Sequence, residues 1–87
     1  MKLILAIVRN SDTDSVTQGL TSAEFRVTRI ASTGGLLRRG MTTLLIGVEA
    51  EQVDAAIRIF HQTCTPAVGG EKRATIFVVP VDRFEQI

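Results

Sequence analysis

Residues 25–48 constrain the fold most, because they contain two strand-like runs with no helical pattern between them. The runs span residues 25–32 and 41–48, and their connection carries Gly34, Gly35 and Gly40. Further apolar runs lie at residues 3–8 and 74–79. Short apolar runs bounded by turn residues are typical of strands, and a continuous run such as residues 3–8 indicates burial on both faces. The pattern predicts four strands, of which the middle two are adjacent in sequence.

Two helices are predicted, one between the first and second strands and one between the third and fourth strands. The first spans residues 13–23, with Ser11, Asp12 or Asp14 as its cap. Val16, Leu20 and Ala23 lie on one face of it. The second spans residues 51–64, and its apolar positions form one stripe: Val53, Ala56, Ile57, Phe60 and Cys64. The order β-α-β-β-α-β in 87 residues predicts a single domain, residues 1–87, of the α+β class. We expect a ferredoxin-like sandwich, with a four-stranded antiparallel sheet and two helices on one face.

The central residues 25–48 are also purely cationic. They hold Arg26, Arg29, Arg38 and Arg39, four of the ten Lys and Arg residues, and none of the nine Asp and Glu residues. A glycine-containing, donor-rich segment of this kind suits an anionic ligand, phosphate above all. The segment matches neither the Walker loop nor G-x-G-x-x-G. The net charge of +1 gives no overall field for nucleic acid or membrane, so any electrostatic recognition must be local.

Other classes of function find little support in the sequence. RNA-recognition modules of this fold need aromatic residues on the central strands, and residues 3–8 and 41–48 contain none. No apolar run approaches the ~20 residues of a membrane span. A single cysteine favours a reducing compartment, so we expect a cytoplasmic protein.

His61 and Cys64 are spaced to lie on one helical turn and could supply half a metal site. The chain has no other His or Cys, so a zinc site would have to be shared between subunits. An exposed His and a buried Cys at a helix end is the preferred interpretation. We therefore expect no metal, no cofactor and no catalytic nucleophile–base pair, and hence no enzyme.

Longer motifs lie in three parts of the chain, residues 1–8, 25–57 and 74–87. Residues 25–37 read F-R-x-T-x-x-A-[ST]-T-G-G-x-L, and residues 76–86 read I-F-V-x-P-V-x-x-F-x-Q. With the opening MKLILAIV, these motifs resemble the PII-like cyclic di-AMP receptor proteins of bacteria. The resemblance implies a non-enzymatic homotrimer that binds a nucleotide second messenger in the clefts between subunits and signals to a downstream protein, which the sequence does not identify.

The resemblance also implies a set of ligand contacts. Arg26 and Thr28 would meet the nucleotide from the second strand, and Gly47 would give backbone approach. Phe77 would pack near a base, and Gln86 would hydrogen-bond to the ligand from the edge. Four residues would wrap the ligand: Thr33, Gly34, Gly35 and Leu37.

Two base-facing positions of the implied nucleotide site depart from the family. The family typically has a stacking aromatic residue at the position of Leu36 and an adenine-reading Asn at the position of Met41. The long loop before the last strand is reduced here to residues 65–73. This pattern predicts that cyclic di-AMP binds weakly or not at all, with poor discrimination against guanine nucleotides. Another adenine nucleotide (ATP or AMP) and a ligandless structural or partner-binding trimer remain as alternatives.

Overall fold

The computed structural model describes residues 1–30, 40–66 and 68–87, and its elements follow the predicted order. The elements are β1 (Lys2–Arg9), α1 (Asn10–Ser22), β2 (Val27–Ile30), β3 (Met41–Val48), α2 (Val53–Thr63) and β4 (Ala74–Pro80). A 3₁₀ turn, Ala50–Gln52, precedes α2. No helix among these residues is long and apolar enough to cross a membrane.

The four strands form one antiparallel sheet in the order β2-β3-β1-β4. Leu5, at the middle of β1, lies opposite Leu45 of β3 on one side and Phe77 of β4 on the other. Thr28 of β2 is opposite the same Leu45. This arrangement confirms the α+β class and the ferredoxin-like sandwich.

The two helices cover one face of the sheet and enclose the core there. Ile4, Ala6 and Val8 of β1 and the even-numbered residues of β3 are buried. They form one core with Val16 and Leu20 of α1 and with Ala56 and Phe60 of α2. The odd-numbered residues of both strands lie on the opposite face, which we call the open face, and most of them are half-buried. The expectation that β1 is buried on both faces is therefore wrong for this single chain, because no described element covers the open face.

Helix α1 begins at Asn10, directly after β1 and earlier than the predicted residue 13. The residue at its cap position is Arg9, and no side chain caps the helix. Asp12 instead accepts hydrogen bonds from the backbone N–H and the Oγ1 of Thr65, both at 3.1 Å, and is buried. The prediction that Ser11, Asp12 or Asp14 caps the helix is therefore wrong. The buried carboxylate of Asp12 instead links α1 to the loop after α2 by hydrogen bonds. Ala23, predicted on the apolar face, is exposed and lies just beyond the helix.

Gly19 allows α1 and α2 to pack closely. A Cβ atom at this position would lie 2.9 Å from Cγ2 of Ile59 and 3.0 Å from Cγ2 of Thr63. Both distances are shorter than side-chain contacts normally allow, so the glycine that weakens the helix locally is needed for packing between the helices.

Strand β2 is shorter than predicted, and residues 31 and 32 of the expected strand lie outside the described residues. Its residues alternate between the two faces of the sheet: Val27 and Arg29 point to the helix face, opposite Ile46 and Leu44. Thr28 points to the open face. Strand β2 therefore carries a polar side chain on the open face of the sheet.

Candidate functional site

A cavity of about 430 Å³ lies at one end of the open face. It brings together four residues that the sequence predicted for the site: Arg26, Thr28, Gly47 and Gln86. The other lining residues are Met1, Leu3, Leu45, Val81 and Phe84. The cavity therefore combines a mostly apolar floor with a cationic and hydrogen-bonding rim.

The strand register explains why these residues meet. Gly47 is opposite Leu3, and Thr28 is opposite Leu45, so the end of β3, the start of β1 and the start of β2 converge. Residues 81–87 follow β4 to the same end of the sheet. The N–H of Val81 donates to the carbonyl of Met1 at 3.1 Å, which fastens this segment beside the start of β1.

Arg26 and Arg29 have different electrostatic environments although they belong to the same short segment. The Arg29 guanidinium donates to Asp14 at 3.0 Å across the helix face. Arg26 is exposed on the cavity side, and within residues 1–30, 40–66 and 68–87 no carboxylate lies in ion-pair distance of it. A guanidinium with free donors suits a phosphate or carboxylate ligand.

Gly47 has no steric requirement from within its own chain. A Cβ atom placed there would have no heavy atom within 4 Å, and the residue is exposed although its neighbours Ile46 and Val48 are buried. Such a side chain would enter the cavity. The glycine therefore leaves space and an accessible backbone beside Arg26 and Thr28.

The remaining predicted site residues lie away from the cavity or outside the described residues. Five of them are outside the described residues: Thr33, Gly34, Gly35, Leu36 and Leu37. Met41 begins β3 and is opposite Arg9, at the end of the sheet away from the cavity. Phe77 lies opposite Leu5 on the open face and is exposed, but it does not line the cavity.

Gly40, directly before β3, is fixed by contacts with Asn10. Its φ of +65° is in the left-handed region, and a Cβ atom would clash with the side chain of Asn10. Its carbonyl accepts a hydrogen bond from the Asn10 N–H at 2.7 Å, and Thr42 Oγ1 donates to the Asn10 side chain. The glycine-containing connection therefore rejoins the sheet at a point anchored to the start of α1.

His61 and Cys64 line a different cavity, of about 220 Å³, between α2 and β4. The Arg73 guanidinium lies 3.3 Å from Nδ1 of His61, and since arginine only donates, this nitrogen accepts. Among the described residues, no group of three or more His, Cys, Asp and Glu is placed to hold a metal ion. A neighbouring cation and an occupied ring nitrogen do not suit a metal-binding role for this pair.

The Cys64 thiol is buried. Burial raises its pKa above the ordinary value, and the negative charge of Asp12 raises it further, while Arg73 and Arg9 lower it in part. A thiol held in its protonated form is a poor nucleophile.

Sequence reasoning did not assign Phe84 to the site, although it lies within the I-F-V-x-P-V-x-x-F-x-Q motif. The apolar floor, Leu3 and Leu45, was also missed. Their alternation along β1 and β3 was the available signal, since each lies on the open face with Gly47. The position of Phe84 depends on a segment without regular structure, which periodicity does not describe.

The fold and the cavity are those of a small ferredoxin-like domain with a candidate ligand site on its open face. The sequence profile of the cyclic-di-AMP receptor family matches residues 1–68, and this chain belongs to that family. A crystal structure of a functionally unknown protein from Pediococcus pentosaceus is similar over nearly the full length. Its sequence is 33% identical, the match covers 99% of this chain and 96% of that one, and the TM-score is 0.80. The family match does not include Phe77, Phe84 and Gln86.

Proposed function

We propose that this protein is a non-enzymatic receptor for cyclic di-AMP, with its site in the clefts between the subunits of a homotrimer. The observation that carries the proposal is the convergence of Arg26, Thr28, Gly47 and Gln86 on one cavity in a chain of the cyclic-di-AMP receptor family. The role is signalling in the cytoplasm of a bacterium, by binding and release rather than by chemistry.

The cavity suits the two chemical parts of a nucleotide. Arg26 and the hydroxyl of Thr28 provide donors for phosphate oxygens, and a charge-assisted bond from a guanidinium is among the stronger contacts available. Leu3 and Leu45 provide an apolar surface for a base, and the Gln86 amide can donate to or accept from a base edge.

A site that also uses Met41 requires two subunits. Met41 and Gly47 stand near opposite ends of β3, and six residues of extended strand span about 20 Å. If both contact the same ligand, as the family resemblance implies, the two residues come from neighbouring chains. This separation supports a cleft between subunits rather than a site within one chain.

The open face supports association for a second reason. Ile30, Phe77 and Val79 are 43%, 52% and 40% exposed on that face, beside half-buried Leu5 and Ile7. Apolar side chains spread over a whole sheet face lose solvent exposure when another subunit covers them. Light scattering should give the mass of a trimer, and a monomer mass at micromolar concentration would contradict both the assembly and the cleft.

Titration calorimetry of two arginine variants tests the site. Arg26→Ala should weaken nucleotide binding roughly tenfold to hundredfold, because it removes a charge-assisted contact worth about 1.5–3 kcal/mol. Arg29→Ala is the matched control: it removes the same charge three residues farther along the chain, but on the helix face, where the side chain pairs with Asp14.

The Arg29→Ala protein should bind nucleotide as the wild type does, and it should lose about 1 kcal/mol or less of stability with its exposed ion pair. Equal weakening by both variants would show a general charge effect and reject Arg26 as a ligand contact. ATP, AMP and cyclic di-GMP should be titrated alongside cyclic di-AMP, because this chain has Leu36 and Met41 where the family resemblance implies base-reading residues.

A further inference from the structure

Phe84 is a large aromatic side chain that the fold leaves uncovered. It is 63% exposed and lines the cavity together with Arg26 and Gln86. Isolated exposed apolar residues are common on protein surfaces. An aromatic ring at the wall of a cavity that also carries an exposed guanidinium and an amide is a more specific arrangement.

The backbone around Phe84 is anchored so that the ring stays at the cavity. Val81 is half-buried and held by its N–H to the Met1 carbonyl at 3.1 Å. Gln86, two residues after Phe84, lines the same cavity. Residues on both sides of the phenyl ring therefore face the site, although the segment has no regular secondary structure.

We propose that Phe84 is the stacking residue of the site, and that it packs against the purine ring of the bound nucleotide. The proposal rests on the proposed function. Base–aromatic stacking needs one exposed ring face beside an apolar surface, and the cavity provides Phe84 with Leu3 and Leu45 as its floor. Stacking tolerates any base because every base has a π-face, so this residue contributes affinity more than discrimination.

The geometry distinguishes Phe84 from Phe77, the other exposed phenylalanine. Phe77 lies opposite Leu5 near the middle of the sheet and does not line the cavity. Arg26 and Phe84 together would hold a phosphate and the base of one nucleotide unit, whereas Phe77 belongs to the apolar surface farther along the open face.

A fluorescence experiment tests the proposal directly, because the chain contains no Trp and no Tyr. Phe84→Trp introduces a single fluorophore at the cavity, and Ile87→Trp introduces one in the same segment at an exposed residue that does not line it. Titration with cyclic di-AMP should produce a saturable change of emission in the first variant and none in the second.

Calorimetry with Phe84→Leu completes the test. Leucine keeps an apolar side chain but removes the ring face, and binding of cyclic di-AMP should weaken by roughly 5- to 100-fold. Phe84→Tyr keeps the ring and should bind within about twofold of wild type. Ile87→Leu should bind as wild type.

The outcomes separate this inference from the proposed function. Wild-type binding together with unchanged affinity of Phe84→Leu, or an equal emission change in both tryptophan variants, would overturn the role of Phe84 and leave the receptor proposal standing. Absence of any nucleotide binding by the wild-type protein would overturn both.

Discussion

Substitution of Gly47 should raise the stability of this protein and lower its affinity for ligand, a combination that a purely structural glycine would not give. The side chain introduced by Gly47→Ala would meet no heavy atom within 4 Å of its Cβ and would point into the cavity. Replacing a strand glycine by alanine at a position without strain should stabilise the fold by about 0.4–1 kcal/mol, chiefly by restricting the unfolded chain.

Binding should change in the opposite direction. Extra methyl groups in a filled site cost about 1–3 kcal/mol, by analogy with overpacked cores, which corresponds to roughly 5- to 150-fold in affinity. Gly47→Val should therefore weaken binding more than Gly47→Ala. Chemical denaturation measures the first effect, and titration calorimetry with cyclic di-AMP measures the second.

Gly70→Ala provides the matched control. Gly70 also has no heavy atom within 4 Å of a built Cβ and has no left-handed φ, but it lies outside the cavity. It should gain similar stability and keep wild-type affinity. Unchanged binding by Gly47→Val in a folded protein would refute this cavity as the ligand site, and unfolding of Gly47→Ala would show that the glycine serves the fold.

Three further predictions concern the base-facing positions, the helix contact and the thiol. Leu36→Phe combined with Met41→Asn should tighten cyclic di-AMP binding at least tenfold, about 1.4 kcal/mol, when measured by calorimetry; no gain would refute the base-facing roles of these positions. Gly19→Ala should destabilise the protein in urea titrations by up to about 2 kcal/mol, since overpacking against Ile59 and Thr63 costs about 1–3 kcal/mol and the gain in helix propensity is only about 1 kcal/mol; a more stable variant would contradict the packing account. Burial raises the pKa of Cys64 in the folded protein, so the stability contributed by its protonated thiol is complete below the ordinary thiol value of 9.0 and is lost as pH rises through the folded pKa. The free energy of unfolding of Cys64→Ala should therefore fall less steeply with pH above pH 9 than that of the wild type; parallel curves for the two proteins would contradict this.

The fold could be predicted from the sequence because its pattern is local. The apolar runs of β1 and β3 and the stripe that contains Ala56 and Phe60 depend on neighbouring residues alone. The start of α1 was mispredicted for a non-local reason: Asp12 has the chemistry of a cap, but its carboxylate binds Thr65, 53 residues away in sequence. The role of Gly19 was hidden for the same reason, since Ile59 and Thr63 belong to the other helix.

The candidate site was predicted in part. Arg26, Thr28, Gly47 and Gln86 meet as one group, although the first three were assigned from the central segment and the last from a distant motif. Phe84 was not assigned, because its position follows from the path of residues 81–87 and from the Val81–Met1 hydrogen bond. Neither feature leaves a periodic signal in the sequence.

Titration calorimetry of the wild-type protein with cyclic di-AMP tests the central claim most directly. We expect saturable binding of one ligand per subunit, with a dissociation constant on the order of micromolar. The proposed phosphate contacts Arg26 and Thr28 are present, whereas Leu36 and Met41 stand where the family resemblance implies base-reading residues. The Arg26→Ala protein, measured in the same series, should give little heat. No binding at ligand concentrations on the order of a millimolar would contradict the receptor function, and nanomolar binding would contradict the weakened base recognition.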